Sequence, residues 1–315
     1  MARPPPIVEL LGLIGGDLIM AHHDQIASGL ERAIKLAQSL HEVPCEGIVV
    51  VDQQNHRSTI AGSRVPDRSG PLSCPRMTGL GLFESVHMLH RAWRYRNRTE
   101  RDELRFLLAQ QLRGKLVLDI GANAGIYSYW MSKAVGREGR VIAFEPQPEM
   151  IDALKKLRHS FKLHQLEIAE TGLSSQPGQA TLRRVMSHLG GASIERDLPE
   201  ADDSFTIPLT TIDAYIEEHA DRPVSFIKCD VEGHEPAVFA GAMNTLQRDM
   251  PTLLFELHDK QVNESDLFEQ LGSIGYSAYY LHDGRQHPIE ELAQARASID
   301  KPYLNYVCVP YRDRN

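Results

Sequence analysis

The chain has 315 residues, and its 34 Lys plus Arg against 42 Asp plus Glu give a formal charge of −8. That balance repels phosphate backbones and argues against nucleic acid as a partner. The length suits one large α/β domain with an N-terminal extension, and no apolar run reaches the ~20 residues of a membrane helix. The opening "MARPPPIVELLGLIGGDL" is too short in its apolar part and too glycine-rich for a secretory signal. Cys45, Cys74, Cys229 and Cys308 lie far apart without a Cys-x-x-Cys pair. This spacing speaks against a zinc knuckle or a disulfide framework and fits a reducing compartment, so a cytoplasmic protein is expected.

In chain order, "DQIASGLERAIKLAQSL" from Asp24 repeats apolar residues at helical spacing, and "GIVVVD" from Gly47 reads as a strand. The Gly, Pro and Ser-rich stretch from Ala61 to Gly79 reads as a loop or linker. An N-terminal extension over residues 1–95, acting as a lid or a subunit contact, is expected to precede the main domain over residues 96–315. Within the boundary region, "HRAWRYRNR" from His90 reads as a solvated helix face with aromatic anchors. From Thr99, "TERDELRFLLAQQLRG" offers a capping-box-like Thr99 and Asp102, Leu104, Leu107, Leu108 and Leu112 on one face, and Gly114 as a stop.

Four apolar or β-branched segments follow "LVLDIGANAGIYS" (Leu116 to Ser128): "GRVIAFEP", "HQLEIAETGLS", "VSFIKCDVEGHE" and "PTLLFELH", with helical stretches between most of them. Alternation of this kind predicts a parallel sheet with helices on both faces. The C-terminal "GYSAYYLHDGRQHPI" and "YLNYVCVP" add two strands suited to an antiparallel edge. Ligands of such sheets bind beyond the carboxyl ends of the strands.

The loop after the first strand distinguishes between two ligands. A pyrophosphate wants the Gly-x-Gly-x-x-Gly spacing, whereas the loop runs Gly121, Ala122, Asn123, Ala124, Gly125 and then Ile126. Asp119 at the strand end suits a ligand ammonium better than a phosphate. Glu145 ends the next strand, where an acid accepts hydrogen bonds from both hydroxyls of an adenosine ribose. S-adenosyl-L-methionine is therefore the expected cofactor, held by Asp119, Gly121, Asn123, Gly125 and Glu145. A nicotinamide-dependent oxidoreductase on a nucleotide sugar, or a non-catalytic protein that binds the same cofactor, is the alternative.

These segments carry a resemblance. "LDIGANAGIYS", "VIAFEPQPEM", "ETGLSSQPGQATL", "TTIDAY" and above all "FIKCDVEGHEPAVFAGA", followed by "LLFELH", resemble the FkbM-type S-adenosylmethionine-dependent methyltransferases over roughly Leu116 to Leu257. The resemblance implies a Rossmann-like class I methyltransferase fold with a seven-stranded, mostly parallel sheet. It also implies O-methylation of a sugar or other small natural product.

Methyl transfer to a hydroxyl requires in-line positioning and a group that accepts the hydroxyl's proton. "KCDVEGHEP" places Asp230, Glu232, His234 and Glu235 after a strand, with Gly233 for a tight turn and Pro236 for the first turn of a helix. His234 is the expected base, because imidazole titrates near neutrality. Glu256 and His258, two apart on the next strand, point to one face and are expected to shape the acceptor pocket or orient the base, with a divalent cation held together with Asp230 as the alternative. The spacing establishes no metal site; His22/His23 and His87/His90 lack further ligands nearby. His188 in "MSHLGGAS" is a candidate acceptor contact.

Overall fold

The computed structural model describes residues 79–184, 192–194 and 203–311, which fall in the compact unit Met77–Asn315. The helix expected from Asp24, the strand from Gly47, the linker from Ala61, and His22, His23 and His188 lie outside the described residues.

Helix α1 (Leu82–Arg94) runs through a π-helical turn (Tyr95–Thr99) into α2 (Arg101–Ala109). Alternating units then follow: β1 (Leu116–Ile120), α3 (Ile126–Val135), β2 (Arg140–Phe144), α4 (Pro148–Ser160) and β3 (Leu166–Ala169). Next come three strands set apart from the main sheet, β4 (Gly172–Leu173), β5 (Gly178–Arg184) and β6 (Asp203–Thr210). The chain continues through α5 (Ile212–His219), β7 (Val224–Cys229), α6 (Glu235–Ala240), α7 (Met243–Asp249) and β8 (Thr252–His258). It finishes with α8 (Asp259–Glu264), α9 (Leu267–Ser273), β9 (Tyr276–His282), β10 (Arg285–Pro288), α10 (Leu292–Ala295) and β11 (Tyr303–Pro310).

The main sheet has the order β10-β9-β11-β8-β7-β1-β2-β3, and β4-β6-β5 form a small second sheet. Pairing is parallel from β3 to β8, and β11 is antiparallel to both of its neighbours. The strand order reverses between β1 and β7, which opens a crevice at their carboxyl ends. The expected Rossmann-like α/β architecture is present, with eight strands in the main sheet rather than seven. The extra strand is β10, returned against β9 by a two-residue Asp283-Gly284 turn with φ of 48° and 74°. Positive φ at both turn residues gives the hand that matches strand twist.

The period-2 alternation of side chains sorts the core into two layers. Leu116, Leu118 and Ile120 of β1 pack with Ile212 and Ile216 of α5, Phe239 of α6 and Leu246 of α7. On the opposite face Val117, Phe226, Leu254 and Val307 pack with Met88 and Ala92 of α1, Leu104 and Leu107 of α2 and Met131 of α3. Helix α1 is fixed there further by Trp130, whose ring N–H donates to the Ala92 carbonyl at 3.2 Å.

The start of α2 differs from the capping-box expectation. Glu100 is its N-cap, without a side-chain cap bond, while Thr99 lies in the π turn. The Asp102 carboxylate instead accepts the Gly284 N–H at 2.9 Å, so a long-range contact has displaced the local cap. The helix ends at Ala109, before Leu112 and Gly114.

Candidate functional site

A cleft enclosing about 590 Å³ of space, part of it open to solvent, lies at the carboxyl ends of β1, β2 and β7. Gly121, Asn123, Glu145, Asp230, Glu232 and His234 all line it, so six of the eight residues expected from sequence converge on one cavity. The small sheet covers it through Leu173, Leu182 and Ile207. Asp119 and Gly125 are not part of the lining and stand one layer behind it.

The β1 loop owes its path to three positive-φ residues, Gly121 at 72°, Asn123 at 48° and Gly125 at 83°. At Gly121 a Cβ would stand 1.9 Å from the Asp230 carbonyl oxygen, so only glycine lets the β1 and β7 loops approach this closely. Asn123 tolerates the left-handed conformation, and its side-chain oxygen accepts the Ala124 N–H at 2.6 Å. Gly125 is the N-cap of α3, where a Cβ would meet the Leu157 and Leu154 side chains at 2.6 and 2.8 Å.

Glu145 joins two loops. One carboxylate oxygen accepts the Asn123 N–H at 2.8 Å and the other the Gln147 N–H at 2.9 Å. The side chain is 2% exposed, and burial raises its pKa against the pull of those N–H donors. Each oxygen retains a lone pair for a ligand hydroxyl. Asp119, fully buried on the α1–α3 face of the sheet, accepts the Ser128 hydroxyl at 2.5 Å. Its second oxygen, also buried, has no hydrogen-bond partner. Burial pushes its pKa up, with the Lys228 ammonium opposing.

The turn after β7 is held by Glu235, which the sequence placed after the strand without giving it a role. Glu235, 1% exposed, accepts the Val231 N–H at 2.8 Å and the Gly233 N–H at 3.1 Å, and burial raises its pKa to about 7. Glu232 and Gly233 both have positive φ, 56° and 103°, which turns the Glu232 residue onto the cleft. The Ser193 hydroxyl donates to the Glu232 carbonyl at 2.9 Å. His234 is the N-cap of α6 and is 7% exposed, with Nε2 in hydrogen-bond contact with Ser174 Oγ at 3.0 Å. Pro236 stands in the first turn of α6, as its fixed φ predicts.

Lys228 was missed, although its place two residues before Asp230 on a strand puts both on one face. Its ammonium is 3.0 Å from the Asp230 carboxylate and 4.7 Å from the Tyr127 ring centroid. Burial alone would lower its pKa, but Asp230, Asp119 and Glu100 together raise it. Glu100, from the turn before α2, hydrogen-bonds Tyr127, and burial raises its pKa. Among the described residues no group of three or more His, Cys, Asp or Glu side chains is arranged to hold a metal ion. No described helix is long and apolar enough to cross a membrane.

The relatives of this chain are methyltransferases by description. The hexuronic acid methyltransferase AglP of Haloferax volcanii is 26% identical over 195 residues, covering 61% of this chain and 77% of the relative. Among solved structures, the methyltransferase FkbM of Methylobacillus flagellatus is 17% identical, with a TM-score of 0.44 over 63% of this chain and 45% of that one. The match thus spans under half the length of the Methylobacillus protein. An S-adenosylmethionine-dependent O-methyltransferase of Thermotoga maritima is 12% identical, with a TM-score of 0.38 over 68% of this chain and 66% of that one. The methyltransferase FkbM domain model matches residues 119–278, just over half of the chain, from the buried Asp119 through the β7 turn to β9, and the protein belongs to the FkbM methyltransferase family.

Proposed function

We propose that the protein is an S-adenosylmethionine-dependent O-methyltransferase acting on a hydroxyl of a sugar or other small glycan acceptor. The observation that carries this reading is one cleft lined both by the Gly121 approach to Asp230 and by the Glu145 carboxylate. The sugar acceptor draws support from the Haloferax relative, whose description names a hexuronic acid. The missing Gly-x-Gly-x-x-Gly spacing and the family assignment weigh against a nicotinamide enzyme.

The residues present fit the cofactor's chemistry. Gly121 and Asn123 would approach it through their backbone, Glu145 would accept its ribose hydroxyls, and Asp119 and Gly125 would fix the loop from behind. The unpartnered buried oxygen of Asp119 offers an acceptor toward a ligand ammonium, directly or through water. When bound, S-adenosylmethionine supplies a methyl group made electrophilic by its sulfonium. Asp230, Glu232 and His234 form the reactive edge: Asp230, oriented by Lys228, stands where an acceptor hydroxyl can be held, and the near-buried His234 closes the cleft beneath it. The main work of these side chains is orientation and exclusion of water. Helix α1 packs into the same core as α2 and α3. The buried free thiols of Cys229 and Cys308 accord with a cytoplasmic protein.

Isothermal titration with S-adenosylmethionine, S-adenosylhomocysteine and NAD in parallel tests the reading. Micromolar binding of the first two with no heat from NAD is expected. Binding of NAD alone, or of none of the three, refutes the cofactor assignment.

A further inference from the structure

On the α1–α3 face of the main sheet, one pleat beyond the apolar layer of Val117, Phe226, Leu254 and Val307, the strands carry a polar layer. The register puts Asp119 beside Lys228 and Glu256 beside Asn305. Cys229↔Phe255 is the last paired position of β7 and β8, and Asp230 and Glu256 are the residues that follow it on the two segments, close enough for their charges to interact. Asp230 belongs to both the cofactor cleft and this layer, and so marks the boundary between them.

We propose that Glu256, not His234, is the base that takes the proton of the acceptor hydroxyl. The inference rests on the methyltransferase reading above. In the step it serves, the acceptor oxygen forms a bond to the methyl carbon as the carbon–sulfur bond breaks, its electron pair going to sulfur. The acceptor O–H bond breaks and the proton passes to the Glu256 carboxylate, leaving an ether, S-adenosylhomocysteine and a neutral Glu256.

Three observations favour Glu256. Its carboxylate accepts no hydrogen bond among the described residues, whereas Glu235 is consumed as a turn cap and Asp230 is engaged by Lys228. His234 is nearly buried, with Nε2 already in contact with Ser174. The surroundings also tune Glu256 for the task. Lys228 faces it from β7, Asp230 and Glu232 from the following turn and Glu100 from the turn before α2. Across β11, the paired Asn305 donates to Glu103 of α2 at 2.8 Å, and His258 lies two residues on along β8. Burial first, then Asp230 and Glu232, raise the Glu256 pKa to about 8 against the opposing Lys228. A base with a pKa close to the working pH transfers protons most effectively.

The test is a pH titration of protein labelled with ¹³C at the glutamate carboxyls, first saturated with S-adenosylhomocysteine and then with S-adenosylmethionine. The Glu256 resonance is identified by its loss in Glu256→Gln, or in Glu256→Asp if the amide variant does not fold. In the homocysteine complex Glu256 is expected to titrate near 8. With the sulfonium form its pKa is expected to fall by about one unit, because a positive charge then stands beside it. An ordinary carboxylate titration, or the same titration in both complexes, overturns the assignment. Failure of both ligands to bind by calorimetry overturns the cofactor reading itself, a result distinguishable from an unmoved Glu256 in a saturated protein.

Discussion

Replacing Glu145 with Gln tests the centre of the proposed cofactor site, because the carboxylate serves the fold and the ligand through the same two oxygens. Both oxygens accept backbone N–H groups, from Asn123 at 2.8 Å and Gln147 at 2.9 Å, in a side chain 2% exposed. An amide keeps one acceptor oxygen and turns an NH₂ toward the other N–H, leaving that donor unpaired. A buried unsatisfied donor costs about 1–3 kcal/mol. For a domain of this size each kcal/mol lowers Tm by roughly 2–4 °C, so a drop of roughly 2–12 °C is expected by scanning fluorimetry. Calorimetry with S-adenosylhomocysteine should show a Kd weakened roughly ten- to a hundredfold, because one charge-assisted bond to the ribose is lost. An unchanged Tm would refute the bracing role. A folded variant with unchanged Kd would refute the ribose assignment.

Gly121→Ala should impair folding and abolish cofactor binding together, since its Cβ would meet the Asp230 carbonyl oxygen at 1.9 Å at a φ of 72°; a soluble variant with wild-type Tm and affinity would show that the two loops can separate freely. Lys228→Met removes the cation that Asp119, Asp230 and Glu100 surround, and should cost about 3–5 kcal/mol in denaturant unfolding at pH 8. The loss should shrink at pH 5, where Asp119 and Glu100, whose pKa values burial raises, take up protons more readily; a pH-independent loss would mean that only packing against Tyr127 was removed. Stability should also depend on pH through Glu235 and Glu256. Above 4.5 the unfolded chain releases these protons, while the folded one keeps them until about 7 and about 8 respectively. The folded state therefore binds more protons across that window, and stability falls as pH rises through it. Glu256→Gln should flatten the upper part of the fall, and an unaltered profile would place the Glu256 titration elsewhere.

What could be read from the sequence was local. The Gly121–Gly125 loop, Glu145 at a strand end, the Gly233 turn and Pro236 in the next helix depend on short-range backbone conformation, and all stand where their spacing placed them. The alternation of strands and helices likewise gave the parallel sheet, because side-chain period and connection handedness are written along the chain. Where a short-range signal failed, a distant partner had taken the residue, as when Asp102 bonded Gly284 instead of capping α2. The role of Glu235 lay in the turn that its own carboxylate ties together, which no residue count reveals. The polar layer could be decided only by tertiary structure. Asp119, Lys228, Glu256 and Asn305 are spread over some two hundred residues of sequence, sheet pairing in the order β1, β7, β8, β11 brings them to one face, and Glu100 joins them from the turn before α2. Strand alternation fixes which face each side chain takes, but only the long-range pairing fixes its neighbours, and those neighbours set which carboxyl holds a proton near neutrality.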